Sequence, residues 1–164
     1  MMKEKAIIVD LDGTLVDNTP RILKTLEERK NNLDNSKIRW DDILADTDTV
    51  DVPNPWCMEI VNTFSSIGYK IIFLTGRMAT PSTYSATQRW LDKYVAPGVD
   101  YRLIMRPIND FRKNHDVKRD TLNNQIVPFY DILFAVDDHS ENCNMMREIG
   151  LVALHCADYT EPHH

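Results

Sequence analysis

The run Ala6 to Val9 (AIIV) is too short for a helix and lacks the polar alternation that would leave one face of a strand wet. It reads as a buried parallel strand, covered on both faces, which commits the chain to layers of helix around a sheet. Asp10 then stands at the strand's carboxyl end, the edge at which open α/β sheets bind ligands. Asp12, two residues on, points back toward the same crevice if the backbone stays extended. Gly13 and Thr14 complete the stretch DLDGT. The glycine permits a sharp turn and a close approach of backbone amides to a bound anion. A plain Asp-Gly turn is the lesser alternative for the stretch taken alone.

The logic repeats along the chain. Pro55 suits a first helical turn, and Trp56, Ile60, Phe64 and Ile67 make one apolar stripe before Gly68 closes the helix. Lys70 to Leu74 (KIIFL) is a second buried strand. It runs into Thr75, Gly76 and Arg77, whose hydroxyl, flexible backbone and guanidinium suit phosphoryl oxygens, with a Thr-Gly turn as the alternative. Helices are expected over Pro20 to Leu33, Tyr84 to Val95, His115 to Val127 and Ser140 to Ile149, and strands over Tyr101 to Met105, Ile132 to Val136 and Leu151 to His155. The fourth strand ends in Asp137 and Asp138. Asn31 to Asp34 and the acidic run Trp40 to Pro55 read as irregular.

The alternation predicts an α/β fold, a doubly wound, mainly parallel five-stranded Rossmann-like sheet with helices on both faces. At 164 residues the chain fits one domain, with residues 15–54 as a minimal cap or irregular insertion and no room for a large cap. The net charge of −6 excludes a surface that attracts polyanions as a whole, so contact with nucleic acid needs a local patch. Arg102, Arg106, Arg112, Lys113, Lys118 and Arg119 crowd one segment, diluted by Asp100, Asp110 and Asp116 into what is equally a mixed-sign solvated face. Cys57, Cys143 and Cys156 are odd in number and lack CxxC spacing, which argues against disulfides and zinc and for a reducing cytoplasm. No apolar run reaches the ~18 residues of a membrane span. His163 and His164 read as a tag remnant.

Three strand ends deliver four carboxylates and a hydroxyl to one sheet edge. Four carboxylates in one crevice cannot all ionise without a cation, and all-oxygen ligation points to Mg²⁺. Asp10, the backbone carbonyl of Asp12, and Asp137 are the expected ligands, with Asp138 supporting the ion or a neighbouring cation. A metal, a lysine and a hydroxyl around a free carboxylate describe phosphoryl transfer through an aspartyl-phosphate. Asp10 is the expected nucleophile, Asp12 the acid and then the base, and Thr75 and Lys118 the groups that neutralise phosphoryl charge. Lys113 competes with Lys118 for that role. Asn142, one turn beyond Asp138, either steadies the metal site or lies on a helix surface.

DLDGT, LTGR, Lys118 and VDDHSEN, in this order, resemble the four motifs of the haloacid dehalogenase superfamily of aspartate-nucleophile phosphatases. Within it, NPWCMEI to GYKIIFLTGR, the RWL helix, Arg106 twelve positions before Lys118, and DDHSENCNMMREIG are most similar to the 3′-phosphatase domain of phage polynucleotide kinase/phosphatase. The resemblance implies that Arg77 and Arg106 contact the substrate's phosphate or backbone, joining Gly13, Thr14 and Gly76 in substrate binding. It implies a Mg²⁺-dependent phosphomonoesterase acting on a phosphorylated nucleic-acid end, in the host cytoplasm if the chain is phage-encoded, with no membrane and no obligate protein partner. A phosphatase of free nucleotides or other small phosphoesters is the alternative, favoured by net acidity. A non-catalytic relative is disfavoured because Asp10, Asp12, Thr75, Lys118 and Asp137 are all present. A dehalogenase is disfavoured because its chemistry offers no leaving alkoxide to protonate. The sequence departs from the pattern in lacking a GxxxxGK[ST] loop and in its long, acidic Asp17 to Pro53 segment.

Overall fold

A computed structural model describes residues 2–31, 44 and 47–157. The central strand β1 (Glu4–Val9) alternates its side chains between two cores. Ile7 and Val9 pack with Phe73, Trp90 and Leu91 on one face, while Ala6 and Ile8 pack with Ile72, Leu74, Ile126 and Met146 on the other. A strand with both faces covered has no use for polar alternation, which is why its sequence reads as an unbroken apolar run.

After β1 come β2 (Val16–Asp17), α1 (Thr19–Asn31), the single turn α2 (Thr47–Val50), β3 (Val52–Pro53), α3 (Pro55–Ser66), β4 (Lys70–Met78), α4 (Pro81–Tyr94), β5 (Tyr101–Arg106), α5 (Asn114–Thr121), β6 (Tyr130–Asp137), α6 (Ser140–Glu148) and β7 (Ala153–His155). The main sheet runs β5-β4-β1-β6-β7, all parallel. The chain steps outward from β1 to β4 and β5, then returns to lay β6 on the other flank of β1. The switch point therefore falls between β1 and β6, at the carboxyl ends that carry Asp10 and Asp137. This is the five-stranded sheet expected from the sequence, and no large cap occurs among the described residues.

Several boundaries differ from expectation. Thr75, Gly76 and Arg77 lie within β4, whose pairing with β5 shifts register between Leu74 and Met78. The expected helix from His115 to Val127 begins at Asn114 and widens into a π turn over Leu122–Ile126. Trp56 and Ile67 do not face the core: α3 buries Cys57 and Val61, with Ile60 and Phe64 packed beside them. The stretch Trp40 to Pro55, expected to be irregular, supplies α2 and β3, and β3 pairs antiparallel with β2. The expected irregularity of residues 32–34, the last residues of the first expected helix, and His163 and His164 lie outside the described residues.

α4 shows how local sequence sets an end. Thr80 is extended and accepts a hydrogen bond from the Thr83 amide, and Pro81 occupies the first helical position, where a missing N–H costs nothing. At the other side of the fold, Asn54 ties the chain back to the first loop: its amide donates to the Leu15 carbonyl and its side chain to the Thr14 carbonyl, both at 2.8 Å.

Candidate active site

Asp10 lies buried at the end of β1 with a partner on each carboxylate oxygen. Lys118 Nζ donates to Oδ1 at 2.9 Å and Thr14 Oγ1 to Oδ2 at 3.0 Å. Lys118 comes from α5, is itself buried, and also donates to Asp137 Oδ2 at 2.8 Å. The ambiguity between two lysines is thereby resolved in geometry. Lys113 is exposed at the start of α5, and Lys118 is the one that enters the crevice.

Asp137, at the end of β6, is fully buried. It accepts from the His139 amide at 2.9 Å and from Asn142 Nδ2 at 3.2 Å on both oxygens. Asn142 is thus not a surface residue, and its Oδ1 has no hydrogen-bond partner. Asp138 is buried against Gly13. The glycine has φ +80°, and a Cβ there would collide with the Asp138 carboxylate, so both its conformation and its lack of side chain are used.

Carboxylate oxygens of Asp10, Asp137 and Asp138 lie within 4.8 Å of one another. Burial, and next the charge of Asp137, push the Asp10 carboxyl well above the usual carboxylate range, with Lys118 opposing them. For Lys118, burial works against the ammonium, but Asp10 and Asp137 outweigh it and hold the lysine above its ordinary value. Among the described residues three carboxylates meet the one ammonium of Lys118. Such an all-oxygen donor set fits a hard divalent cation.

Asp12 faces different neighbours. Arg77 grips it with two bonds, Nε to Oδ2 at 2.8 Å and Nη2 to Oδ1 at 2.7 Å, and Arg21 Nη2 reaches Oδ1 at 2.8 Å. Behind the two arginines sits Asp51, which accepts Arg21 Nε at 2.9 and 3.0 Å and lies 3.6 Å from Arg77 Nη2. Sequence reasoning named neither Arg21 nor Asp51. Both lie in the stretch read as insertion, and no strand end marks them.

Other expected contacts are arranged differently. The Gly13 and Thr14 amides, expected to approach an anion, donate instead to the Val16 and Leu11 carbonyls, because the loop folds back on itself toward β2. Thr14 spends its hydroxyl on Asp10. Thr75 is buried at the crevice end of β4 and accepts the Arg77 amide at 3.1 Å. Gly76 packs against Asn114, leaving no space for a Cβ. Arg77, expected to hold substrate, is turned to Asp12. Arg106 is a strut: Nε donates to the Gly76 carbonyl at 2.9 Å, and Nη1 to the Asp110 and Arg112 carbonyls at 3.0 and 2.7 Å. Its neighbours in the expected basic patch are paired as well, Arg112 with Asp110 and Asp120, Arg119 with Glu148. This is the mixed-sign face that was the alternative.

Residues 4–159 match the family model described as the polynucleotide kinase PNKP phosphatase domain. Among curated proteins, the chain is 26% identical over 160 residues to a bifunctional polynucleotide kinase/RNA ligase, so named, of Autographa californica nuclear polyhedrosis virus; the match covers 96% of this chain and 20% of that protein. Among solved structures it is similar to a chain of the Pnkp1/Rnl/Hen1 RNA repair complex, with a TM-score of 0.72 and 28% identity, covering 96% of this chain and 44% of the other. A haloacid dehalogenase family enzyme from Bacteroides thetaiotaomicron, crystallised with magnesium and inorganic phosphate, shares the fold at a TM-score of 0.52 and 16% identity, over 96% of this chain and 98% of that one. The chain thus spans less than half the length of the first two relatives.

Proposed function

The chain belongs to the family of polynucleotide kinase phosphatase domains, and from that premise we propose that it removes 3′-phosphates from polynucleotide ends with Mg²⁺, through a phosphoryl-enzyme at Asp10. The observation that carries the reading is the crevice itself: Asp10 buried at the switch point, with Lys118 bridging it to Asp137 and Asp138 alongside. Residues 1–164 are taken as one catalytic domain in which 15–54 form a small insertion.

An Asp10 oxygen attacks phosphorus as the bond to the 3′-oxygen breaks, and the proton of Asp12 goes to that leaving oxygen. Asp12, now a carboxylate, takes a proton from the water that attacks the acyl phosphate. The Asp10–phosphorus bond breaks, inorganic phosphate is released, and the starting protonation states are restored. Lys118 and the Thr75 hydroxyl balance charge on the phosphoryl oxygens. Asp10, the Asp12 carbonyl and Asp137 would hold Mg²⁺, with Asp138 in support; when bound, the ion would supply charge neutralisation and orient the phosphoryl group. The clustered carboxylate oxygens support that assignment, as does magnesium in the Bacteroides enzyme.

The rim supports a nucleic-acid end as substrate. The loop from β5 to α5 stands at the carboxyl edge of the sheet, braced to Gly76 by Arg106, and it exposes Ile108 (53%) and Phe111 (80%). Apolar side chains displayed there offer a nucleobase a surface to stack on. Net acidity favours the second reading, a phosphatase of free nucleotides. Turnover with Mg²⁺ on a 3′-phosphorylated oligonucleotide, a 3′-mononucleotide and p-nitrophenyl phosphate separates them. The first reading expects kcat/KM highest on the oligonucleotide and Phe111→Ala to lower only that value; equal or better use of the mononucleotide overturns it.

A further inference from the structure

Arg21, one of the two arginines that grip Asp12, is itself aimed by a residue that makes no hydrogen bond to Asp12. Asp51 is buried, and its backbone is fixed twice, by its amide donating to the Thr47 carbonyl at 3.1 Å and by Trp90 Nε1 donating to its carbonyl at 3.0 Å. From that fixed point its carboxylate accepts Arg21 Nε on both oxygens and lies beside Arg77 Nη2. Arg21 and Arg77 are 4% exposed each, and Arg77 Nη1 also donates to Thr87 Oγ1 at 3.1 Å. Two carboxylates and two guanidiniums close into one group, drawn from the first loop, α1, the segment between α2 and β3, and β4. A guanidinium is planar, so fixing Nε fixes where Nη2 points.

We propose that Asp51 is a positioning residue for proton transfer: by locking the plane of Arg21, whose Nη2 holds Asp12, it sets the Asp12 carboxyl group where the leaving oxygen will be. This rests on the reading of Asp12 as the acid. It assigns a task to the segment around residue 51, which a sequence reading treats as spacer: the segment supports the site from behind.

Leaving-group dependence distinguishes positioning from general damage. A series of aryl phosphates of similar size, from p-nitrophenyl to phenyl and on to an alkyl phosphate, needs the acid progressively more. kcat/KM, which reports steps through phosphorylation of the enzyme, is measured across it with Mg²⁺ for wild type, Asp12→Asn and Asp51→Asn. A misplaced acid costs about 10²-fold where the proton is needed, so Asp51→Asn is expected to lower the alkyl end by about that factor and the p-nitrophenyl end by less than about fivefold. Asp12→Asn should show the same selectivity, larger. Should Asp51→Asn reduce the folded fraction, Asp51→Glu, which keeps the charge and displaces the carboxylate, is read in its place. A uniform fall across the series, or no fall, in a folded variant while Asp12→Asn remains selective overturns the role of Asp51. An unselective Asp12→Asn overturns instead the reading of Asp12 as the acid.

Discussion

Asp10 and Asp12 are two residues apart, yet they belong to charge clusters of opposite kind. Around Asp10 the described groups are Asp137, Asp138 and the ammonium of Lys118, and negative charge is in excess. Around Asp12 the described ion-pair partners are Arg21 and Arg77, backed by Asp51, and these charges balance when Asp12 is ionised, the state it reaches after giving up its proton. Burying an uncompensated charge is costly, so a cluster in excess is built for something that arrives, whereas a balanced cluster is complete as it stands. On the proposed function the first receives a cation and a phosphoryl group, and the second sets the direction of one carboxyl group.

The sharpest separation is in activity. Asp10→Asn should abolish turnover on every substrate, a loss on the order of 10⁴-fold or more, while Asp12→Asn should lower kcat/KM by about 10²- to 10⁴-fold and only where the leaving group needs a proton, its role as base coming after the steps that kcat/KM reports. Steady-state assays across both substrate types check this, and equal losses everywhere would erase the distinction between the clusters.

Stability gives the next contrast. Arg77→Gln breaks a buried matched group and should cost about 3–5 kcal/mol, a loss that Mg²⁺ does not restore. Lys118→Met should destabilise the metal-free protein, and Mg²⁺ should recover part of that loss, since a cation can take over the ammonium's charge. Urea unfolding with EDTA and with Mg²⁺ reads both. Recovery of Arg77→Gln by Mg²⁺ would show that the two clusters are not independent.

Smaller still is the direct effect of the ion. At a concentration a hundredfold above its Kd, Mg²⁺ should stabilise the wild type by about 2.7 kcal/mol and Asp137→Asn by much less, as thermal unfolding will show. The least effect concerns the thiols. Burial pushes Cys57 and Cys143 up to about 12 and Cys156 up to about 11, so native protein at pH 8 should react slowly with iodoacetamide at all three, followed by mass spectrometry. Because these folded values exceed those of an unfolded thiol, their contribution to stability is complete below the unfolded value. It is lost as pH rises through about 11 to 12.

What the sequence made legible follows from the physics of each part. Strands covered on both faces read as unbroken apolar runs, so AIIV, KIIFL and ILFAV announce a parallel sheet, and the residues just past them announce its functional edge. The meeting of Asp10 and Asp137 at that edge was readable for this reason, whereas Lys118 reaches it from a helix and was named through the order of the motifs. Arg21 and Asp51 were not, because their meaning lies in a pairing across 30 positions between a helix and a short connecting segment, and neither periodicity nor a motif records such a pair. Arg106 shows a second kind of illegibility. A cation near a presumed phosphate site suggests a phosphate ligand, and nothing in the sequence signals that its Nε and Nη1 also donate to the carbonyls of Gly76, Asp110 and Arg112. Trp56 and Ile67 satisfied a helical period and still lie outside, since Cys57 and Val61 on the adjacent stripe meet the core.

The most direct test of the account is to quench the enzyme in acid during turnover with a 3′-phosphorylated oligonucleotide and Mg²⁺, reduce with borohydride, and map the digest by mass spectrometry. Borohydride converts an aspartyl-phosphate to homoserine. Conversion at position 10 alone is the predicted result; an enzyme that turns over but shows conversion at another aspartate, or at none, contradicts the account.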